Sequence, residues 1–284
     1  MSYLDHIRHL NTHDLAEFRP WHIGDRRVGW LRPGFVEHLR QWPEVFEITP
    51  ERIALAPALH DFQSRSAALA SIGQQLIADG VIARWHGEPY GVTEHHRDQA
   101  LCTLDRASAT HYGILSFGQH MNGYVRDGDR LYLWIAKRAA DKITHPGKLD
   151  HLVAGGLPHG MRLLDNLIKE CGEEAGISPS LARQAQPIGC ITYCGQNQAG
   201  LKPDVLYCYD LELPADFQPT PEDGEVESFQ LLPIEEVAEI VRDTEEFKPN
   251  CNLVVIDFLI RHGVLGPDDP DYVDLITGLH PPHP

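Results

Sequence analysis

The sequence predicts an α/β protein, an α/β/α sandwich built on a mixed sheet and preceded by a smaller α+β domain. The chain has 284 residues, more than the about 100–200 residues of a usual domain. Apolar residues make up 42% and charged residues 23%, which is typical of a chain that folds throughout. After residue 112, segments with strand and helix patterns follow in the order strand, strand, helix, strand, strand, helix. We therefore expect an N-terminal α+β domain over 1–112, a sandwich domain over 113–248, and a C-terminal helix and tail over 249–284.

In the N-terminal domain, one helix and one hairpin are predicted. Apolar residues recur at helical spacing between 64 and 79, and Gly80 stands where a helix would end. The segment 81–92 then has the pattern of a strand, a turn and a second short strand. A helix followed by a hairpin indicates an α+β domain.

In the sandwich domain, two strand patterns flank the Asp-Gly-Asp turn at 127–129, which predicts a hairpin. The remaining elements follow from apolar runs and helical periodicity. They are a helix over 163–177, strands over 186–193, 204–213 and 226–232, and helices over 234–241 and 251–262. The last residues, 278–284, are expected to be disordered.

The net charge is −17, from 24 Lys and Arg against 41 Asp and Glu, and it would repel the phosphates of a nucleic acid. No apolar stretch reaches the about 20 residues that span a bilayer. We therefore expect neither nucleic-acid nor membrane partners. The N-terminus has acids and histidines where a signal peptide has an apolar core, which predicts a cytoplasmic location.

The six cysteines have no CxxC or framework spacing, and several lie in apolar runs. We expect them to be reduced core thiols. Cys190 and Cys194 have no second pair of Cys or His at zinc-finger spacing. A zinc half-site is therefore a weaker interpretation of these two residues.

Charge is unevenly distributed along the sandwich domain. Residues 204–246 contain 14 acids and one base, whereas residues 126–148 contain six bases and three acids. If the two segments face one cleft, the ligand that suits both is a polyanion held on a divalent metal ion.

Three carboxylates, Glu170, Glu173 and Glu174, lie on one flank of the predicted helix, beside its apolar stripe. Like charges three and four residues apart repel each other, and a divalent cation would offset that repulsion. Carboxylate oxygens are ligands of Mg²⁺ or Mn²⁺ where the metal also binds substrate phosphates. Such a run alone is more often a solvated helix face, so the surrounding residues decide the interpretation.

The segment 155–177 resembles the Nudix box, Gly-x5-Glu-x7-Arg-Glu-U-x-Glu-Glu-x-Gly-U, in which U is apolar. Met161 stands where the box has its first Glu, and Lys169 replaces the Arg. In the family this pair typically supports the loop, so the departures affect loop rigidity rather than metal binding. The matching positions are Gly155, Glu170, Cys171, Glu173, Glu174, Gly176 and Ile177.

Further segments look like a two-domain Nudix branch, whose members often carry a thiamine-pyrophosphokinase-related label. Some of its members act on diphosphates of damaged thiamine. The resemblance covers nearly the whole chain and is more specific for the branch than for the substrate. The segments include FGQHMNGYV, LWIAKR, HPGKLDHLVAGGLPHG, DGEVESFQLLP and the N-terminal WHGEPYGV.

The resemblance implies which residues of the box do the chemistry. Glu170, Glu173 and Glu174 would be metal ligands and catalytic residues. Glu170 is also the candidate to orient or deprotonate the attacking water. The carbonyl of Gly155, or of its neighbour, would add a ligand.

Residues outside the box would complete the site. Glu225 or Glu227 would supply a further carboxylate, while Glu222 and Asp223 are expected to be solvated acids. Arg138 and Lys142 are the candidates for binding substrate phosphate. His120 and Asn122 face either the cleft or the core, and both alternatives stay open. The aromatic candidates for stacking on a substrate head group are Phe117, Trp134 and Trp85.

The resemblance implies an enzyme, a Mg²⁺- or Mn²⁺-dependent Nudix diphosphohydrolase. We expect it to cleave a small organic diphosphate, such as thiamine diphosphate or an oxidised analogue, to the monophosphate and phosphate. Three alternatives stay open: hydrolysis of a nucleoside diphosphate linked to another moiety, isomerisation of a diphosphate, and a non-catalytic Nudix-fold ligand-binding module. The retained box carboxylates favour catalysis over binding, and no Cys and Glu motif supports the isomerase. The N-terminal domain is expected to form a wall of the substrate pocket or a contact in a homodimer.

Overall fold

The computed structural model describes residues 2–142, 144–222 and 224–284. Within these residues the strands form a four-stranded sheet, a two-stranded sheet and a seven-stranded sheet. The two smaller sheets belong to the N-terminal part of the chain, and the large mixed sheet forms the centre of the rest. This arrangement confirms the predicted α/β class with a separate N-terminal domain. Asp223 lies outside the described residues.

The N-terminal part is built from short strands and helices. In its larger sheet the strand order is β2-β1-β4-β3, and β1 and β4 are parallel. The elements are α1 (Tyr3–Leu10), β1 (Arg19–Ile23), β2 (Arg26–Leu31), α2 (Pro33–Leu39), β3 (Phe46–Ile48), β4 (Ile53–Leu55), α3 (Phe62–Ala78), β5 (Pro89–Val92), β6 (Cys102–Asp105) and α4 (Ala109–Tyr112).

The helix predicted over 64–79 is confirmed by α3, but the hairpin predicted after it is wrong in its first strand. Strand β5 pairs with β6, further along the chain, and not with the segment before it. The amides of Val81 and Ile82 donate to the carbonyl of Leu76, and Ile82 is buried. This turn uses the backbone groups that a strand would need.

The second part of the chain contains the large sheet, with the order β11-β12-β7-β8-β13 and with β10 and β9 paired to β7 and β8. Strands β7 and β12 are parallel, and the other pairs are antiparallel. The predicted hairpin is formed by β7 and β8, in which Asp127 pairs with Arg130. The elements are β7 (Ser116–Asp127), β8 (Arg130–Arg138), β9 (Leu149–His151), β10 (Val153–Gly156), α5 (Leu163–Ala175), α6 (Pro179–Ala182), β11 (Gln186–Gln196), β12 (Leu201–Glu212), β13 (Val226–Pro233), α7 (Ile234–Asp243), α8 (Pro249–Arg261) and α9 (Tyr272–Gly278).

Helices cover both faces of the large sheet, as predicted for a sandwich. On one face, Leu133 and Ile135 of β8 lie in an apolar cluster with Phe258 of α8. On the other face, Trp134 of β8 lies in a cluster with Leu167 of α5. Because successive strand residues point to opposite faces, β8 contributes to both cores.

The expected disorder of 278–284 is wrong, because the C-terminal segment packs on β11. Leu279 is buried, and its carbonyl accepts from the amide of Thr192 at 3.1 Å. The Thr192 hydroxyl donates to the carbonyl of Pro281 at 2.7 Å. Helix α1 also packs on this face, where its Ile7 joins the cluster of α8. The two chain ends therefore help to cover the same side of the large sheet.

Five of the six cysteines are buried and unpaired, as expected for core thiols, but Cys190 is exposed. The structure pairs neither Cys190 nor Cys194 in a disulfide. Among the described residues, no helix has both the length and the apolar character needed to cross a bilayer.

Candidate active site

The glycine-rich strand β10 and helix α5 bring the box residues together. Strand β10 pairs antiparallel with β7, and Gly155 lies opposite Gln119. A Cβ on Gly155 would lie 2.6 Å from Cδ and 2.9 Å from Oε2 of Glu170. Both distances are shorter than van der Waals contact, so glycine is what allows the Glu170 side chain to lie against this strand.

Helix α5 buries one stripe and carries the carboxylates beside it. Leu167, Cys171 and Ala175 are almost completely inaccessible and anchor the helix to the sheet. The helix ends at Gly176, whose φ of +64° favours glycine, and the Gly176 amide donates to the carbonyl of Gly172. This anchoring fixes the height and rotation of the carboxylate flank against β10.

The three carboxylates have different environments. Glu174 is buried, and its Oε2 accepts from the amide of Ala154 at 2.7 Å. Burial raises the pKa of the Glu174 carboxyl well above its ordinary value. Burial also raises the pKa of Glu170, an effect that the Lys169 ammonium only partly offsets. Glu173 is half exposed. The surroundings of Glu170 and Glu174 therefore contain too little positive charge to favour the ionised form of either carboxyl group.

Lys169 is the cation that touches this group. Its Nζ lies 2.7 Å from Oε2 of Glu173 and 3.2 Å from Oε1 of Glu170. Met161, the other departure from the box, packs against an apolar cluster that contains Phe117 and Leu157. The two positions therefore have separate surroundings, one charged and one apolar.

The donor set fits a divalent cation of the Mg²⁺ type. The carboxylates of Glu170 and Glu174 lie beside the backbone of β10, and Glu173 is linked to Glu170 through Lys169, so that all of the candidate ligand atoms are oxygens. A divalent ion would supply the positive charge that the carboxyls of Glu170 and Glu174 lack. The geometry therefore brings Gly155, Glu170 and Glu174 together, and the half-exposed Glu173 stays a predicted ligand.

A cleft of about 580 Å³ borders β10 and is lined by both parts of the chain, but none of the three box carboxylates is among its lining residues. Gly155 and Gly156 line it from β10, and Lys142 and Glu225 line it from the loops next to β8 and β13. The basic segment 126–148 and the acidic segment 204–246 face each other in this cleft, as predicted. Nζ of Lys142 lies 2.5 Å from Oε2 of Glu225. Burial opposes the charge of Glu225, but the Lys142 ammonium holds the pKa of that carboxyl below its ordinary value.

The structure separates Glu225 from Glu227. Glu225 lines the cleft, whereas Glu227 is half exposed and its Oε1 accepts from Nζ of Lys137 at 2.9 Å. The β13 register shifts between Val226 and Ser228, which directs Glu227 away from the regular ladder. Of the two candidates, only Glu225 shares the cleft with Gly155.

Arg138 lines the cleft, but its guanidinium is already in use. Nη1 donates to Oδ2 of Asp150 at 2.8 Å, and the other nitrogens donate to the carbonyls of Thr144 and His145. Its side chain is only 12% exposed. The arginine therefore supports the loop after β8, and Lys142 is the more accessible of the two predicted phosphate-binding residues.

The N-terminal domain supplies cleft residues that sequence reasoning missed. Tyr90 and Arg106 line the cleft beside Gly156. A Cβ on Gly156 would overlap the Tyr90 hydroxyl and lie 3.2 Å from Nη1 of Arg106. The domains are also joined by the amide of His159, which donates to the carbonyl of Pro89 at 2.7 Å. The segment WHGEPYGV contains Tyr90, but the spacing of its residues does not predict a contact with a segment far away in the sequence.

The remaining candidates divide between cleft and core. His120 and Phe117 line the cleft, although both are largely buried. Asn122 lies in the interior and donates to Oδ1 of Asp210 at 2.9 Å. Trp134 belongs to a core cluster and Trp85 is exposed, and neither is among the cleft residues. Phe117 is thus the one of the three predicted aromatic residues that borders the cleft.

Comparison with known proteins agrees with this geometry. Two family models match: a domain of unknown function (DUF4743) over residues 2–116 and the NUDIX domain over residues 119–251. The chain is 45% identical to Nudix hydrolase 24, chloroplastic, of Arabidopsis thaliana, over 93% of this chain and 73% of the relative. It is also 45% identical to Nudix hydrolase 20, chloroplastic, of the same plant, over 98% of this chain and 77% of the relative. A solved structure of the MutT protein from Methanosarcina mazei Go1 matches with a TM-score of 0.39 at 16% identity, over 51% of this chain and 92% of that chain.

The predicted cytoplasmic location is wrong by this comparison, because both plant relatives are chloroplastic. The prediction rested on an N-terminus unlike a secretory signal peptide, and that observation bears on secretion alone.

The similarity to the two plant proteins extends over 93% and 98% of this chain. The prediction of an enzyme, a Nudix diphosphohydrolase, is therefore confirmed. The chain belongs to the Nudix hydrolase family, as a two-domain member with a DUF4743 domain before its NUDIX domain.

Proposed function

We propose that this protein hydrolyses a small organic diphosphate, such as thiamine diphosphate or an oxidised analogue, to the monophosphate and phosphate. The observation that supports the proposal most is the packing of Glu170 against Gly155 at the border of a cleft that also contains cationic side chains. Mg²⁺ or Mn²⁺ would be held by Glu170, Glu173 and Glu174 together with the Gly155 carbonyl and Glu225.

When bound, the metal ions would neutralise phosphate oxygens and lower the pKa of a bound water. The protein's own groups position the reactants. Glu170 lies against β10, where it can orient the water and take its proton. Glu174 is anchored by the Ala154 amide and fixes the inner side of the site. Holding water and phosphorus in line supplies much of the remaining rate enhancement.

Three cations are candidates for binding the diphosphate. Lys142 is paired with Glu225, and it would exchange this partner for a phosphate when Glu225 turns to the metal. Arg106 approaches Gly156 from the N-terminal domain and is paired with Glu88 at 3.0 Å. Arg138 lies deeper, where it supports the loop and adds positive potential. The N-terminal domain would in this way be part of the active site.

An aromatic head group suits the rest of the cleft. Phe117 and Tyr193 provide aromatic surface there, while Glu88 and Asp204 are paired with Arg106 at 3.0 Å and Lys202 at 3.1 Å. A cationic ring against an aromatic face gains about 0.5–2 kcal/mol. A long polyanion would instead meet a surface with net charge −17.

A substrate comparison tests this proposal. The purified chain is assayed with Mg²⁺ and with Mn²⁺ on thiamine diphosphate, oxidised thiamine diphosphate, ADP-ribose and a diadenosine polyphosphate, with phosphate and monophosphate products resolved. We expect the highest kcat/KM for a thiamine-type diphosphate. If ADP-ribose or the diadenosine compound is at least about tenfold better, the substrate assignment fails and hydrolysis of a nucleoside diphosphate linked to another moiety replaces it.

The binding-module alternative predicts no turnover with any diphosphate. All three box carboxylates are present, and beside β10 Glu174 is buried and Glu170 partly buried, an arrangement that a simple ligand-binding site does not need. The homodimer stays a prediction, which sedimentation equilibrium of the purified chain would test.

A further inference from the structure

Four side chains that can bind metal ions meet in the interior, apart from the carboxylates of α5. They are His120 on β7, Asp150 and His151 on β9, and Cys251 on α8, and all four are buried. One donor atom from each lies within 4.8 Å of every other. Two imidazoles, a carboxylate and a thiol from three separate elements form a mixed set unlike the oxygen-only set of the Nudix box.

The contacts inside this cluster are short. Nδ1 of His120 lies 2.9 Å from Nδ1 of His151, and Sγ of Cys251 lies 2.8 Å from Oδ1 of Asp150. Two facing ring nitrogens can share only one proton, so one of them presents a lone pair to the other. The donor atoms are thus grouped as two close pairs, all within 4.8 Å of one another.

One nitrogen of the cluster is left over. Nε2 of His151 has no hydrogen-bond partner among the residues that the structure describes, although the ring is only 2% exposed. Buried polar atoms are nearly always paired, so an unpaired imidazole nitrogen needs an explanation. A metal ion bound to the His151 ring would provide this explanation, if the ring turns so that Nε2 faces the ion.

Asp150 is oriented for such a site. Its Oδ2 accepts from Nη1 of Arg138 at 2.8 Å and from Nζ of Lys248 at 3.3 Å. Its Oδ1 faces Cys251 and accepts from the amide of His151 at 2.9 Å. The two cations hold one oxygen and leave the other directed into the cluster, as outer partners do for metal-bound carboxylates.

We propose that His120, Asp150, His151 and Cys251 form a second metal site that binds one borderline transition-metal ion of the Zn²⁺ type. Thiolate and imidazole ligands select such an ion over Mg²⁺. Tetrahedral bonds of about 2.0–2.3 Å place ligand atoms about 3.3–3.8 Å apart, so the widest pair must close by about 1 Å. Binding displaces the Cys251 thiol proton to solvent; the thiolate adds one negative charge, and Asp150 shares its charge among the ion, Arg138 and Lys248.

The site would act on structure. It would join β7, β9 and the beginning of α8, and thereby hold the region of the cleft that His120, Lys248 and Asn250 line. The four ligands are different residues from the α5 carboxylates that would bind the hydrolytic metal, so the two sites can be altered separately by mutation.

Cobalt spectroscopy tests the proposal without using activity. The full chain is stripped with EDTA and titrated with Co²⁺, and the thiolate-to-cobalt charge-transfer band is followed together with the visible bands of tetrahedral cobalt. We expect both in the wild type at one ion per chain, and in Glu173→Gln and Cys190→Ser. Cys190→Ser is the matched control, because Cys190 is exposed. Cys251→Ser should lose the charge-transfer band, and His151→Gln should lose the tetrahedral spectrum.

A second measurement covers the case in which a variant folds poorly. Zn²⁺ should raise the Tm of the stripped wild type, and the rise should be unaffected by Glu173→Gln. The proposal is overturned if the wild type shows no thiolate band, if the band persists in Cys251→Ser, or if it is lost in Cys190→Ser or Glu173→Gln. Absence of diphosphate hydrolysis would contradict the proposed function alone and leave this site intact.

Discussion

The absence of a side chain at Gly155 allows the Glu170 carboxylate to lie against β10. We expect Gly155→Ala to reduce turnover by at least about tenfold, or about 1.4 kcal/mol, because the new Cβ would displace the Glu170 carboxylate. Stability should change little, since the end of a flexible side chain is what must move. Steady-state kinetics and thermal unfolding measure the two effects.

Gly172→Ala is the matched control for this change. Gly172 lies in α5 with no atom within 4 Å of the position of an added Cβ, and alanine favours a helix by about 1 kcal/mol over glycine. We expect a higher Tm and unchanged turnover. Equal losses of activity in the two variants would mean that the helix as a whole, and not the Gly155–Glu170 contact, limits catalysis.

The positions of charged side chains could be predicted from the sequence where they depend only on residue spacing along one helix. The flank of Glu170, Glu173 and Glu174 follows from helix periodicity, and the structure places these carboxylates beside the predicted stripe. Their different burial was not predictable, because it depends on how closely β10 approaches α5. The pairing of Arg138 with Asp150 was missed for the same reason.

At the scale of elements, Tyr90 of β5 and Arg106, directly after β6, approach the glycine-rich strand β10 and line the cleft there. We expect Arg106→Gln to raise KM for the diphosphate at least about tenfold, with a smaller effect on kcat, because Arg106 would bind the ground state and the transition state alike. Arg97→Gln is its control, since Arg97 joins the domains through the carbonyl of Met161 and is not among the cleft residues. A KM unchanged in Arg106→Gln would remove this residue from the binding site.

Helix α8 is fixed to β12 by a partly buried ion pair. Nη1 of Arg261 lies 2.5 Å from Oδ2 of Asp210. Burial opposes the charge of Asp210, but hydrogen bonds from His262, Arg261 and Asn122 hold its pKa below the ordinary value. We expect Asp210→Asn to lower the free energy of unfolding at neutral pH by about 2 kcal/mol.

The pH dependence of this effect has a definite sign. Because the folded-state pKa of Asp210 is depressed, its contribution is present above the unfolded pKa of about 4 and is lost as the pH falls through the folded value. Urea titrations at neutral pH and at about pH 3 should therefore show a smaller gap between wild type and variant in acid. A gap that widens in acid would contradict the assignment.

For whole elements, prediction succeeded where a pattern was long and failed where pairing was decided at a distance. The seventeen residues of α3 and the hairpin of β7 and β8 carry strong local signals. The strands β1 to β4 have three to six residues each, too short for a clear alternation. The partner of β5 and the packing of the C-terminal segment on β11 depend on the assembled sheet.

At the scale of the whole molecule, the two domains form one cleft. Gly155 and Gly156 of the box segment line it from the C-terminal part, whereas Tyr90 and Arg106 line it from the N-terminal part. From the sequence, the N-terminal domain is expected to form a wall of the substrate pocket or a contact in a homodimer. The spacing of its residues does not distinguish these two possibilities. Charge segregation was a better guide, because the basic and acidic segments do meet at Lys142 and Glu225.

In the proposed function, the carboxylates of α5 hold the hydrolytic metal. The most direct measurement is turnover of the best diphosphate in Mg²⁺, together with Mn²⁺ binding, for wild type, Glu173→Gln, Glu174→Gln and the control Glu227→Gln. We predict intact folds by circular dichroism, weaker Mn²⁺ binding and at least about 100-fold lower turnover, or about 2.7 kcal/mol, in the first two variants, and unchanged values in the control. Wild-type turnover in both α5 variants would show that the metal is bound elsewhere.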